Sequence, residues 1–152
     1  MRKIPLTIPA VLIATTVAFA AAAHSGAAGI VKTRMDAMGA LSKRMKSLGG
    51  MMRGKTDFDP DEAHEIAIAI SEHARRIPGH FPEGSIEGPS EALPEIWADW
   101  ERFEALALQL SDGASTFAAA ARRAESANDL SAQFARMAQS CRRCHESFRL
   151  AK

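Results

Sequence analysis

Cys141-Arg142-Arg143-Cys144-His145 lies near the end of the 152-residue chain and joins two thiols at a spacing of three to a directly following histidine. Cys-x-x-Cys-His is the attachment signature of c-type haem. The spacing suits this chemistry because two thioether bonds reach two vinyl groups of one porphyrin while the adjacent imidazole lies below the iron. We therefore predict one haem c, covalently attached through two thioethers to Cys141 and Cys144, with His145 as an iron ligand.

Apolar residues around this pentapeptide recur at alternating steps of four and three. Such spacing forms one stripe along an α-helix, and we expect both cysteines and His145 to face the interior together. The stripe consists of Leu130, Phe134, Met137, Cys141, Cys144 and Phe148.

A disulfide, a redox dithiol and a zinc site are the other uses of such a cysteine pair. A dithiol of thioredoxin type is typical of a strand-rich setting and a helix start, whereas this pair lies late in a helical segment. A structural zinc site needs about four ligands, and the chain has only two cysteines. Haem attachment is therefore favoured over all three.

The N-terminus predicts export. Residues 1–23 form a basic start, an apolar stretch and the cleavage site Ala21-Ala22-Ala23, which is typical of a secretory signal peptide. An uncleaved membrane anchor is disfavoured because Pro5 and Pro9 leave fewer than the roughly 20 apolar residues of a spanning helix. We expect one periplasmic domain at 24–152, with no stable membrane insertion after cleavage.

Charge and motifs narrow the function classes. The chain has 19 Lys and Arg against 18 Asp and Glu, so it lacks the strongly basic character of nucleic-acid binders. Nucleophile elbows, phosphate loops and paired carboxylates are missing from the sequence, and we therefore do not expect an enzyme. Arg142 and Arg143, with Arg149 and Lys152 following, predict a basic rim that redox protein partners recognise, opposite an acidic long loop.

The spacing of apolar residues, together with capping residues and prolines, predicts four helical segments. The first spans about Gly29 to Met52, the second begins after the cap Asp59 and ends before Pro78, and a long connection then leads to Pro94. The third begins at Pro94, and Asn128 or Asp129 caps the fourth. The expected fold class is all-α, an antiparallel four-helix bundle with covalently bound haem.

The chain resembles the cytochrome c′ family, the class II c-type cytochromes, over nearly all of 24–152. The position of the haem motif at the C-terminus is the discriminating trait, because ordinary small cytochromes c carry it near the N-terminus. The matching segments are Lys32–Met35, Arg53-Gly54, Phe81–Ser85, Pro94–Trp97, Cys141–His145 and Phe148-Arg149.

The resemblance implies further haem contacts. It implies that Arg34 approaches a haem propionate, a contact that suits a guanidinium and a carboxylate, and that Met35 and Glu91 touch the haem. Solvated surface charge is the alternative for Arg34 and Glu91, and core filling is the alternative for Met35.

The role of Met38 distinguishes the two functions that the resemblance implies. In the low-spin branch of the family a methionine here is the sixth iron ligand, which suits a single-electron carrier. In the five-coordinate, high-spin branch the iron stays open to small gases such as nitric oxide and carbon monoxide, and some of these members also carry a methionine. We predict ligation by Met38 and electron transfer, with gas binding as the alternative and a homodimer left open.

Overall fold

A computed structural model describes residues 27–151 of the chain. The predicted signal peptide at 1–23, its cleavage site and Lys152 lie outside these residues. Residues 27–151 contain five α-helices, α1 to α5, and two short 3-10 helices at Pro78–His80 and Ala127–Leu130. The α-helices are Gly29–Met52, Pro60–Arg76, Glu95–Ala98, Trp100–Ala121 and Ser131–Phe148. Four of them are long, and the predicted all-α four-helix bundle is confirmed.

Both ends of α1 agree with the sequence prediction, and its C-terminus explains the glycine that follows. Gly54 has a φ of 62°, a left-handed conformation that glycine adopts without steric cost. Its N–H donates to the carbonyl of Met51 at 3.1 Å, and the N–H of Lys55 donates to the carbonyl of Gly50 at 2.9 Å. This pair of bonds is a Schellman motif, which satisfies carbonyls at the helix end.

The predicted start of α2 is also confirmed. The carboxylate of Asp59 accepts hydrogen bonds from the backbone N–H groups of Asp61 and Glu62 at 2.9 and 3.0 Å. Pro60 occupies the first turn, where a backbone N–H is not needed. α2 ends at Arg76, just before Pro78.

Two predicted boundaries were wrong. The third helix does not run unbroken from Pro94, because Asp99 has φ −131° and ψ 56° and separates the single turn of α3 from α4. The last helical segment is capped by Ser126, not by Asn128 or Asp129. Asp129 instead closes a capping box on Ser126. Both errors concern short local hydrogen bonds that apolar periodicity does not report.

The bundle core changes character along its length. Between α2 and α4, small residues such as Ala67 and Ala114 are fully buried and let the two backbones approach closely. At the end that holds the cysteine pair, the core is aromatic. The ring of Phe103 lies 4.9 Å from that of Phe81 and 5.5 Å from that of Phe148, both edge-on, a favourable arrangement of the ring quadrupoles.

The long connection between α2 and α3 is tied to the end of α5. Ala92 and Arg149 form an isolated antiparallel bridge, and the N–H of Leu93 donates to the carbonyl of Phe148 at 3.1 Å. Within residues 27–151, no helix is both long enough and apolar enough to cross a membrane.

Candidate functional site

Cys141 and Cys144 lie on the inner side of α5. Both side chains are half-buried and pack against the hydrophobic core, as the apolar stripe predicts. Burial raises the pKa of Cys141, and burial together with the neighbouring Cys141 raises the pKa of Cys144 to about 11. Thiols of redox dithiols have lowered pKa values. The two thiols are therefore protonated at neutral pH, which argues against a redox dithiol.

His145 does not face the interior with the cysteines, contrary to the prediction. It is exposed because one residue along a helix turns the side chain by 100° from Cys144. Partial burial and the charge of Arg149 lower the pKa of His145, while Glu91 acts in the opposite direction. The lowered pKa favours the neutral imidazole, the form that binds a metal.

The contact between α1 and α5 sets their register. A Cβ atom placed on Gly49 would lie 3.2 Å from Cζ of Phe134, so the phenyl ring would have to shift by a few tenths of an ångström. α1 also contacts the 3-10 helix at Ala127–Leu130 that precedes α5. The C-terminus of α1 thus lies beside the start of α5, and the two helices are antiparallel.

This register predicts that Met38 and His145 lie at a similar level of the two helices. Met38 is eleven residues before Gly49, and His145 is eleven residues after Phe134. Eleven residues are about three turns, or about 16 Å, and return the side chain to within about 20° of its starting direction. On regular, straight helices the two residues would therefore lie at a similar level of the antiparallel pair. Met38 is half-buried and packs against the core.

Arg34, one turn before Met38, is buried with 4% of its surface exposed. Its guanidinium donates to the hydroxyl of Ser85 at 3.0 Å, to the carbonyl of Ser85 and to the hydroxyl of Ser90. It also lies 4.9 Å above the ring of Phe81. Burial lowers the pKa of Arg34. The alternative of a solvated surface charge is therefore wrong.

Glu91 and Arg149 join the long connection to the end of α5. The carboxylate of Glu91 accepts from Nε of Arg149 at 2.7 Å and pairs with its Nη2 at 2.6 Å. Arg149 is thus held by an acidic residue of the loop, and the expected separation of a basic rim from an acidic loop is wrong at this position. Arg142 and Arg143 are exposed as predicted.

Sequence reasoning missed the loop residues that hold Arg34. Ser85 and Ser90 are 51 and 56 positions away from it in the chain. As polar loop residues, they do not take part in the apolar periodicity from which buried positions are predicted. Met35 is half-buried beside Arg34. The aromatic contacts of Phe103 were also missed, because a core phenylalanine looks the same in sequence whether or not it borders a site.

These residues fit a covalently bound haem. Two protonated thiols face the core, the imidazole of His145 is favoured in its neutral form, and the buried guanidinium of Arg34 lies one turn from the thioether of Met38 on α1. A guanidinium has five N–H donors, and the serine hydrogen bonds use three of them. The donor set therefore matches a porphyrin with its iron and one carboxylate side group.

Comparison with known proteins decides the family. The family model described as Cytochrome C' matches residues 29–149. The chain belongs to the cytochrome c′ family.

Its relatives carry two kinds of name. It is 31% identical to a cytochrome c′ of Pararhodospirillum photometricum, over 78% of this chain and 94% of the relative. It is 30% identical to a cytochrome c-556 of Agrobacterium tumefaciens (strain B2A), over 82% of this chain and all of the relative. A nitric oxide complex of a mutant cytochrome c prime from Alcaligenes xylosoxidans shares the fold, with a TM-score of 0.72, 24% identity, and coverage of 81% of this chain and 94% of that one.

Membership of the cytochrome c′ family settles the cofactor and the coarse function. Proteins of this family carry one covalently bound c-type haem. The chain is therefore a monohaem c-type cytochrome with a four-helix bundle fold. Proteins of the family carry electrons or bind gases, and they are periplasmic in general.

Proposed function

We propose that this cytochrome is a periplasmic single-electron carrier, exported by the signal peptide at 1–23. Cys141 and Cys144 hold the haem through thioethers, and His145 and Met38 are the two axial iron ligands. The observation that carries the proposal is the register of α1 and α5. Met38 and His145 are each eleven residues from the Gly49–Phe134 contact, and on regular helices this spacing would set them at a similar level.

The ligand pair suits electron transfer. The haem supplies an iron centre that gains and loses one electron, and a thioether ligand raises its reduction potential. Met38 would hold the iron through its thioether and so exclude water and other small ligands from the metal. Methionine has a flexible and polarisable side chain that adapts to such a position.

The other site residues orient the cofactor. Arg34 binds a haem propionate, since its buried guanidinium is already aimed by Ser85 and Ser90. Met35 and Glu91 contact the haem edge. Glu91 keeps the long connection against α5 through its ion pair with Arg149, so the loop covers the end of the bundle that holds His145.

Gas binding is the second candidate function. It is supported by the half-buried position of Met38, which is compatible with a steric lid over an open iron, and by the nitric oxide complex among the proteins of the same fold. In that case His145 is the single axial ligand, and Met38 only limits access to the distal side.

Spectroscopy of the holoprotein tests the choice. We expect low-spin spectra in both oxidation states and slow carbon monoxide binding, because the gas has to displace the thioether. Met38→Leu keeps the side-chain volume but removes the sulfur, and should give high-spin iron, a lower potential and fast carbon monoxide binding. Met35→Leu is the matched control on the same helix and should retain the low-spin spectrum.

A high-spin wild type that binds carbon monoxide readily would replace the electron-carrier proposal by gas binding. The same conclusion follows if Met38→Leu leaves the spectrum unchanged. Volume-conserving substitutions of this kind usually cost less than about 1.5 kcal/mol of stability, so loss of the fold does not obscure the result.

A further inference from the structure

Charged residues are distributed unevenly between the two sides of the bundle. Residues 29–55, which include α1, hold seven Lys or Arg and one Asp, and residues 131–149, which include α5, hold four Arg and one Glu. Residues 56–130 hold sixteen Asp or Glu and five Arg. Over residues 29–149 the charges nearly cancel, but α1 and α5 are basic and the remainder is acidic.

The basic residues converge where α1 and α5 meet. Nη1 of Arg53 lies 2.9 Å from the position that a Cβ on Gly49 would take, so its guanidinium covers the contact with Phe134. At 100° per residue, Lys46 lies about 60° from Gly49 and Arg142 about 80° from Phe134, both on the outer side. All three side chains are exposed. We call Lys46, Arg53 and Arg142 the basic seam.

The basic seam leads along the two helices to the proposed haem. Lys46 and Arg142 are displaced along their helices from the Gly49–Phe134 contact in the direction of Met38 and His145. The displacements are about 4 Å for Lys46 and about 12 Å for Arg142. Next to Met38, Gly39 is exposed, and a Cβ placed on it would meet no atom within 4 Å. The outer side of α1 is therefore unobstructed where it passes the haem level.

Within the described part of the chain, the seam residues form no ion pair shorter than 4 Å. Among residues 27–151, Lys32 of α1 pairs with Asp36 at 2.6 Å, and Arg149 at the end of α5 pairs with Glu91. Neither pair includes a seam residue. A locally charged surface near a redox centre steers association even when the net charge is close to zero.

We propose that the basic seam is the docking surface for a redox protein with an acidic patch, and that electrons enter and leave the haem there. The proposal rests on the electron-carrier function proposed above. A second copy of this chain is disfavoured, since an isologous contact sets the same basic residues against each other. An anionic membrane is disfavoured because the seam is narrow and the acidic remainder of the bundle flanks it.

The test uses the holoprotein and two inorganic oxidants of opposite charge, hexacyanoferrate(III) and tris(phenanthroline)cobalt(III). Electron transfer to the anionic oxidant should slow as ionic strength rises from about 0.01 to 0.15 M, where the Debye length falls from about 30 to 8 Å. The cationic oxidant should show the opposite or no dependence. K46E combined with R142E should lower the rate of electron transfer to the anionic oxidant roughly tenfold at low salt.

The matched control is R76E combined with R123E, two exposed arginines outside the seam with the same change in net charge. It should alter the rate less than about twofold, since steering by the seam is local. Equal effects of the two double variants, or rates indifferent to salt, would refute the docking surface while leaving the electron carrier intact. If the wild type exchanges electrons with neither oxidant, the proposed function itself fails.

Co-sedimentation with phosphatidylglycerol vesicles separates a protein partner from a membrane. We expect no binding at physiological ionic strength. Vesicle binding that K46E combined with R142E abolishes would overturn the protein-partner proposal in favour of a membrane surface.

Discussion

Replacing Arg34 by alanine should destabilise the holoprotein and release the long connection from α1. Arg34 is 4% exposed, and its guanidinium makes three hydrogen bonds to Ser85 and Ser90. Hydrogen bonds to charged groups contribute about 1.5–3 kcal/mol each, but desolvation of the buried cation offsets part of this gain. We therefore expect a net loss of about 2–4 kcal/mol, which corresponds to a Tm lower by roughly 6–15 °C for a domain of this size.

Two measurements follow the effect of Arg34→Ala. Urea unfolding of the holoprotein gives the loss of free energy, and amide hydrogen exchange shows where protection is lost. Protection should fall in residues 82–93, while α2 keeps its protection until global unfolding. Lys32→Ala is the control on the same helix, since Lys32 makes an exposed ion pair with Asp36 and such pairs contribute about 0–1 kcal/mol.

Arg34→Lys separates charge from geometry. Lysine keeps the positive charge but lacks the planar fork of five donors, so it should recover less than half of the lost stability. The reasoning is refuted if Arg34→Ala changes stability by no more than Lys32→Ala, or if protection falls evenly over all helices. Either result would mean that the loop is held by its other contacts, such as those of Glu91.

Three further outcomes are expected. Cys144→Ala should leave the haem on a single thioether to Cys141, so haem staining on denaturing gels should still detect covalent haem, while the holoprotein should be less stable than the wild type. Release of the wild-type haem by acid-acetone would contradict covalent attachment. Phe103→Ala should cost about 3–5 kcal/mol, because the ring is 2% exposed and contacts Phe81 and Phe148; a loss below about 1 kcal/mol in urea unfolding would contradict its central role. Burial and nearby arginines lower the pKa of His73, so the unfolded chain binds more protons below about pH 6.5. Stability should then fall as the pH drops from 7 to 5, and His73→Gln should reduce that fall; an unchanged pH dependence of the urea midpoint would refute this role.

Local sequence determined the helices and the chemistry of attachment. The cap of Asp59, the proline that follows it and Gly54 after α1 act within one turn, so their effect is readable from neighbouring residues. The same holds for the two thiols, because a spacing of three on a helix sets both on one side.

Only the tertiary structure decided what lies between helices. The burial of Arg34 by Ser85 and Ser90 and the pairing of Glu91 with Arg149 depend on residues brought together from distant parts of the chain. The contact of Gly49 with Phe134 fixes the register of α1 against α5. The periodicity of apolar residues predicts which side of a helix is buried. It does not predict which helix packs on that side or the register of the two helices, because both depend on how their side chains interlock.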